Sequence, residues 1–240
     1  LVHDDINDEA SHRRGIETIH SRVGLPKAVI AGDWLFSQGF ALGGRYDEVI
    51  VRILAQYCAE LAVAEFEQLD HVLDLTTSPE DYLNIVRGKT AGPFAAGCHA
   101  AGLVAGLSEL QASSLKRFGM ELGIAFQLVD DLLDLRGDER MGKPRGADVI
   151  EGKMTLPLIH ALTLSHGKER QRLAHIIENF TDDCFDELMA LLNHSDSLHY
   201  AEILVRTHLE RAIAALDIFP QSDAKALMLH VTDYVMLRHA

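Results

Sequence analysis

A chain of 240 residues is long enough to bury a large core as one domain, and 48% hydrophobic and 24% charged residues, with 6 Pro and 18 Gly spread along the chain, exclude a disordered or fibrous polymer. A formal net charge of -14 excludes a nucleic-acid binder, which needs clustered Lys and Arg to neutralise phosphates, so an anionic substrate here requires metal ions or a locally basic pocket. The cysteines Cys58, Cys98 and Cys184 are too far apart for a disulfide framework or a metal knuckle, and the opening at Leu1 has no secretory pattern, which together predict a protein of the reducing cytoplasm.

In chain order, the first predicted helix carries Asp4, Asp5 and Asp8 in DDIND, and Arg13 and Arg14 follow in DEASHRRG. Breaks at Gly24 to Pro26 and Gly43 to Asp47 precede a helix whose apolar residues Leu54, Tyr57, Cys58, Leu61 and Ala62 recur at three- and four-residue spacing. After a break at Thr76 to Pro79, Ser78 and Pro79 read as a helix start before Glu80. Lys89 and Thr90 follow in RGKTAGPF. The stretch from Ala91 to Leu107 has no formal charge and a GxxxG pair at Gly102 and Gly106, but its 17 residues are too few and too rich in Gly and Ala to span a bilayer. It reads as a buried core helix, with no transmembrane segment elsewhere.

A break at Gly106 to Glu109 leads to an apolar helix from Gly119 to Leu135, with Phe118, Leu122, Ala125, Phe126 and Val129 in register and Gln127, Asp130, Asp131 and Asp134 among them. The next break, Gly137 to Gly146, holds Lys143, and Lys153 stands just beyond it. Further breaks fall at Ser165 to Lys168 and Asn193 to Ser197. The pattern predicts about eight helices joined by short loops, an all-α single bundle over 1–240.

Both acidic clusters have the form DDxxD. On a helix, residues four apart share one face, so Asp4 with Asp8, and Asp130 with Asp134, each present two carboxylates in one direction. Like charges so placed destabilise the helix unless a cation joins them. Hard oxygen donors at this spacing suit Mg²⁺, which takes one or two carboxylates and shares its other positions with water and substrate phosphates. The basic residues after each cluster offer counter-charge for such an anion. The thirteen histidines include no HExxH pair, which argues against zinc.

LVHDDINDEASHRRG, Gly32-Asp33, Glu65 with Gln68, Tyr82, Lys89-Thr90-Ala91, FQLVDDLLD and GKPRGADVIEGKMTLPLI, in this order, resemble the trans-isoprenyl diphosphate synthases, or polyprenyl synthetases. The resemblance runs from Leu1 to Ala161 and returns at Tyr234 to Arg238. It implies a helical bundle of the isoprenoid synthase type from which the N-terminal helices, with their Gly-Lys-Arg segment, are missing. It implies that the catalytic set is Asp4, Asp5, Asp8, Asp130, Asp131, Asp134, Lys89, Thr90 and Gln127. Within it, Asp4 and Asp8, facing Asp130 and Asp134, would hold up to about three Mg²⁺ on an allylic diphosphate. Arg13, Lys89 and Lys143 would touch that diphosphate, Arg14 the diphosphate of isopentenyl diphosphate, and Lys153 would support the second aspartate loop. Thr90 and Gln127 would direct oxygen dipoles at the developing carbocation. The implied reaction is head-to-tail chain elongation by a homodimer. Rival expectations are a non-catalytic partner subunit of the same family and a class I terpene cyclase, whose usual second metal motif is replaced here by a second DDxxD. The short gap in DDIND is similar to that of medium-chain, long-chain or archaeal-type geranylgeranyl enzymes.

Overall fold

The computed structural model describes residues 1–13, 15–137 and 145–237. Arg14 and Lys143, both assigned to diphosphate by the resemblance, lie outside the described residues, as does Arg238. The described residues form two units, 1–54 and, beyond it, 55–137 with 145–237.

In the first unit, α1 (Val2–Asn7) is followed by a two-stranded ribbon, β1 (His12–Arg13) against β2 (Ile16–Glu17), then α2 (Ile19–Val23) and α3 (Leu25–Gly43). The ribbon is antiparallel, with His12 opposite Glu17 and Arg13 opposite Ile16. Gly24 and Pro26 separate α2 from α3 at the expected place, and Pro26 lies in the first turn, where its missing N–H costs nothing. α1 packs on α3 because Gly32 has no side chain: a Cβ there would stand 2.2 Å from His3 Nε2. The His3 ring lies 3.2 Å from the carbonyl of Val29 and 3.5 Å from Asp33 Oδ1. The Gly32-Asp33 pair is thereby explained as the seat of the residue just before the first aspartate cluster.

α4 (Glu48–Asp70) leads into the second unit, which continues with α5 (Pro79–Val86), a π-helical stretch Arg87–Ala91, α6 (Gly92–Val104), α7 (Glu109–Arg136), α8 (Ala147–Ile150), α9 (Leu156–Leu164), α10 (Gly167–Glu178), a 3-10 turn at Asp182–Cys184, α11 (Phe185–His194), α12 (Ser197–Ala215) and α13 (Asp223–Leu237). Thirteen α-helices among the described residues exceed the eight read from periodicity. The surplus comes from helices of four to six residues, too short to show a period, from the π stretch that divides α5 from α6, and from breaks at 179–184, which has no Gly or Pro, and at 216–222, where Pro220 is a lone signal.

Ser78 begins α5 as predicted, by a capping box with Asp81. A second box, Ser108 with Gln111, starts α7 ten residues before the predicted Gly119. α7 is the central helix, flanked by α6 and α12, and Leu122, Ala125, Leu128, Val129, Leu132 and Leu135 line its buried side. α6 departs from the expected core helix: Ala95, Ala96 and Gly102 are buried, while Phe94 and Val104 are exposed. One face of small residues meets α7, so composition alone overstated its burial. No described helix is long and apolar enough to cross a membrane.

Candidate active site

In the first unit, Asp4 and Asp5 lie on α1 and Asp8 is its C-cap, with the Asp8 amide donating to the Asp4 carbonyl at 2.8 Å. Asp4 and Asp8 are half-buried and Asp5 is buried. Asp5 turns away from its neighbours to accept from Arg13 Nε at 2.5 Å. Asp8, as the C-cap, stands just past the helix that carries Asp4, while the Nε of Arg13, expected on substrate, holds Asp5 in place.

In the second unit the site is built at the junction of α5, the π stretch and α7. Pro93 has no N–H to offer the carbonyl of Lys89 four residues earlier, and the ladder widens to the π stretch, where Gly92 N–H bonds Arg87. Lys89 and Thr90 stand on this widened turn. Lys89 Nζ donates to Gln68 Oε1 at 2.6 Å and lies 3.0 Å from Glu65 Oε2, two α4 residues three apart on one face. Thr90 Oγ1 donates to Gln127 Oε1 at 2.8 Å, and Gln127 Nε2 donates to Asp131 Oδ1 at 2.8 Å. Tyr82 Oη donates to Asp131 Oδ2 at 2.6 Å.

Each aspartate of the second cluster meets a different environment. Asp130 is half-buried. Asp131 is 3% exposed; burial, then the charge of Asp148, pushes its carboxyl up to about 8 against the pull of the bonds from Tyr82 and Gln127. Burial, then the neighbouring Asp131, also raises the Tyr82 phenol well above its ordinary value, so it stays a donor. Asp134, expected among the metal ligands, accepts from the amides of Ala147 at 3.0 Å and Asp148 at 3.2 Å, capping α8 with both oxygens. Lys153 Nζ lies 2.5 Å from Glu151 and 3.9 Å from Asp148, at the end of that same α8 segment.

Among the described residues, no three acidic, His or Cys side chains converge closely enough to hold a metal. The donors near each cluster are oxygens, and the arrangement fits an ion such as Mg²⁺ that needs only one or two carboxylates and completes its shell with substrate phosphate and water. Glu65, Gln68 and Tyr82 are site residues that sequence reasoning quoted in the motif but gave no task, and Asp148 and Glu151 it did not single out at all. The three-residue spacing of Glu65 and Gln68 on a helix was the available signal; Tyr82 and Asp131, 49 positions apart, had none.

The profile of the polyprenyl synthetase family matches residues 1–193. Octaprenyl diphosphate synthase of Haemophilus influenzae is 35% identical over 232 residues, 95% of this chain and 70% of that protein. A short chain isoprenyl diphosphate synthase of Methanothermobacter thermautotrophicus is 32% identical over 99% of this chain and 75% of its own length. Among solved structures, a decaprenyl diphosphate synthase from Rhodobacter capsulatus superposes with a TM-score of 0.93 at 34% identity, covering 100% of this chain and 75% of that one. A polyprenyl synthase from Caulobacter crescentus, complexed with calcium and isoprenyl diphosphate, gives 0.93 at 34% identity over 100% and 74%. The chain belongs to the polyprenyl synthetase family.

Proposed function

We propose that this chain, as one synthase domain, joins an allylic prenyl diphosphate to isopentenyl diphosphate, head to tail, as a chain-elongating trans-prenyltransferase. Family membership supports the prenyl transfer, and the observation that carries the chemistry is the ordered line of hydrogen bonds from Thr90 through Gln127 to Asp131, beside a fixed Lys89. The allylic C–O bond breaks with its electron pair leaving on the diphosphate. The double bond of isopentenyl diphosphate then attacks the cation, and the proton lost from the product passes to the departed diphosphate.

Lys89, held by Gln68 and Glu65, would supply charge to the leaving group, and Arg13, held by Asp5 in the other unit, would offer charge to a phosphate there. Thr90 turns its hydrogen toward Gln127, which leaves oxygen lone pairs for the cation. The apolar side chains of α6 and α7 keep water from quenching it. Asp4 and Asp8 in the first unit, and Asp130 in the second, would hold Mg²⁺, which when bound would supply charge that stabilises the leaving diphosphate. Asp134 and Lys153 fix the α8 segment beside that site. A terpene cyclase is disfavoured by the relatives, all named as prenyl transfer enzymes, and a non-catalytic subunit by the intact site network.

The chain works as a homodimer. The support is α3, where Ile30 is 67%, Trp34 61% and Phe36 54% exposed, more apolar surface than a monomer ordinarily leaves in water. The cysteine usage supports a cytoplasmic setting, and the net charge a protein without a nucleic-acid partner.

Radiolabelled isopentenyl diphosphate with farnesyl diphosphate tests the activity. Label should pass into a longer prenyl diphosphate with Mg²⁺ and stop with chelator. No product under any metal condition would leave the non-catalytic subunit as the better reading.

A further inference from the structure

Tyr82 takes part in no step described so far, yet its single polar atom is placed on a site aspartate. The residue is 6% exposed, and its hydroxyl donates to Asp131 Oδ2 at 2.6 Å from a helix 49 positions away in sequence. A buried phenol needs only some acceptor, and a nearby backbone carbonyl would serve packing equally well. An acid on α7 is a costlier choice, because it buries a carboxyl in the core of the unit.

The consequence lies in the direction of the next two bonds. Both oxygens of Asp131 accept, Oδ2 from Tyr82 and Oδ1 from Gln127 Nε2. With its NH₂ on the acid, Gln127 presents its carbonyl to Thr90, whose only hydroxyl hydrogen donates there at 2.8 Å. The lone pairs of Thr90 are what remains for anything approaching from the other side. A carboxyl held at one oxygen alone turns easily, since its terminal torsion is broad. The Tyr82 hydroxyl removes that freedom, and with it the freedom of the amide and the hydroxyl beyond.

We propose that Tyr82 is a positioning residue which, through Asp131 and Gln127, fixes the Thr90 hydroxyl so that it offers lone pairs and not its proton to the developing allylic cation. This rests on the prenyl-transfer reading. A dipole already aligned before reaction stabilises the charge without reorganisation. A hydroxyl free to turn would present its proton to the cation part of the time.

The test is a cycle of Tyr82→Phe, Thr90→Val and the double variant in the enzyme with Mg²⁺, farnesyl diphosphate and isopentenyl diphosphate, with circular dichroism melts of each. Tyr82→Phe should lower kcat about ten-fold and leave the KM for farnesyl diphosphate within about two-fold. In the Thr90→Val background the same change should cost no more than about two-fold, because the group it aligns is gone. A Tyr82→Phe enzyme with parental kcat overturns the proposal. So does a full ten-fold loss added on top of Thr90→Val, or a variant that fails to fold, since either would make the phenol a packing residue. An inactive parent enzyme would instead defeat the prenyl-transfer reading, and an active parent with additive losses defeats only the role of Tyr82.

Discussion

Asp131 shows how a single residue is destabilised for the sake of a site. Unfolded, a carboxyl loses its proton near pH 4; folded and buried beside Asp148, this one keeps it up to about 8. Between these values the folded chain binds more protons than the unfolded one, so this group's contribution to stability falls as pH rises through that window. Metal-free Asp131→Asn should therefore gain stability relative to the parent at pH 8, with the gain shrinking as pH approaches 4. Thermal melts in chelator at pH 5 and pH 8 give the comparison, and a melting difference that does not change between them would contradict the burial argument. Asp130 is different, since it stands half-buried beside the deeper acids. Asp130→Ala should keep the parental melting temperature while turnover falls by roughly two or more orders of magnitude, as loss of charge stabilisation at a leaving group does. Activity within a few-fold of the parent would remove Asp130 from the site.

At the scale of elements, the contact between the π stretch and α7 sets the distance from Thr90 to Gln127. A Cβ on Gly123 would lie 2.5 Å from Ala91 Cα, one residue after Thr90 and one helical turn before Gln127. Gly123→Ala should cost roughly 1–3 kcal/mol by overpacking and lower kcat by parting the two side chains. Chemical denaturation and steady-state rates measure the two effects, and an unchanged rate would show that the spacing is not set there. Asp134 works on another element. Its loss in Asp134→Ala removes the cap of α8, worth about 1 kcal/mol, and should speed hydrogen exchange at the Ala147 and Asp148 amides ahead of the rest of the chain. Helix starts with chemical signatures, Ser78 and Pro26, were legible in the sequence. The ten extra residues at the start of α7 were hidden because Ser113, Ser114, Lys116 and Arg117 interrupt the apolar pattern that marks the helix from Gly119 onward. What the sequence could not disclose is direction: that Asp134 faces backbone amides, that Asp5 faces Arg13 and that Tyr82 reaches Asp131 all depend on tertiary neighbours.

For the whole molecule, the exposed apolar face of α3 predicts self-association. Sedimentation equilibrium should give twice the chain mass, and Trp34→Glu should shift the equilibrium toward monomer; a parent that sediments as a monomer at micromolar concentration would leave that face without its assigned partner. The central claim is that Asp130, on α7, and Lys89, held by Gln68 and Glu65, act on the leaving diphosphate. The most direct measurement is a crystal structure with Mg²⁺ and an allylic thiodiphosphate that cannot ionise. The account predicts the bound diphosphate within metal reach of Asp130 and beside Lys89. A diphosphate bound away from both Asp130 and Lys89 would contradict it.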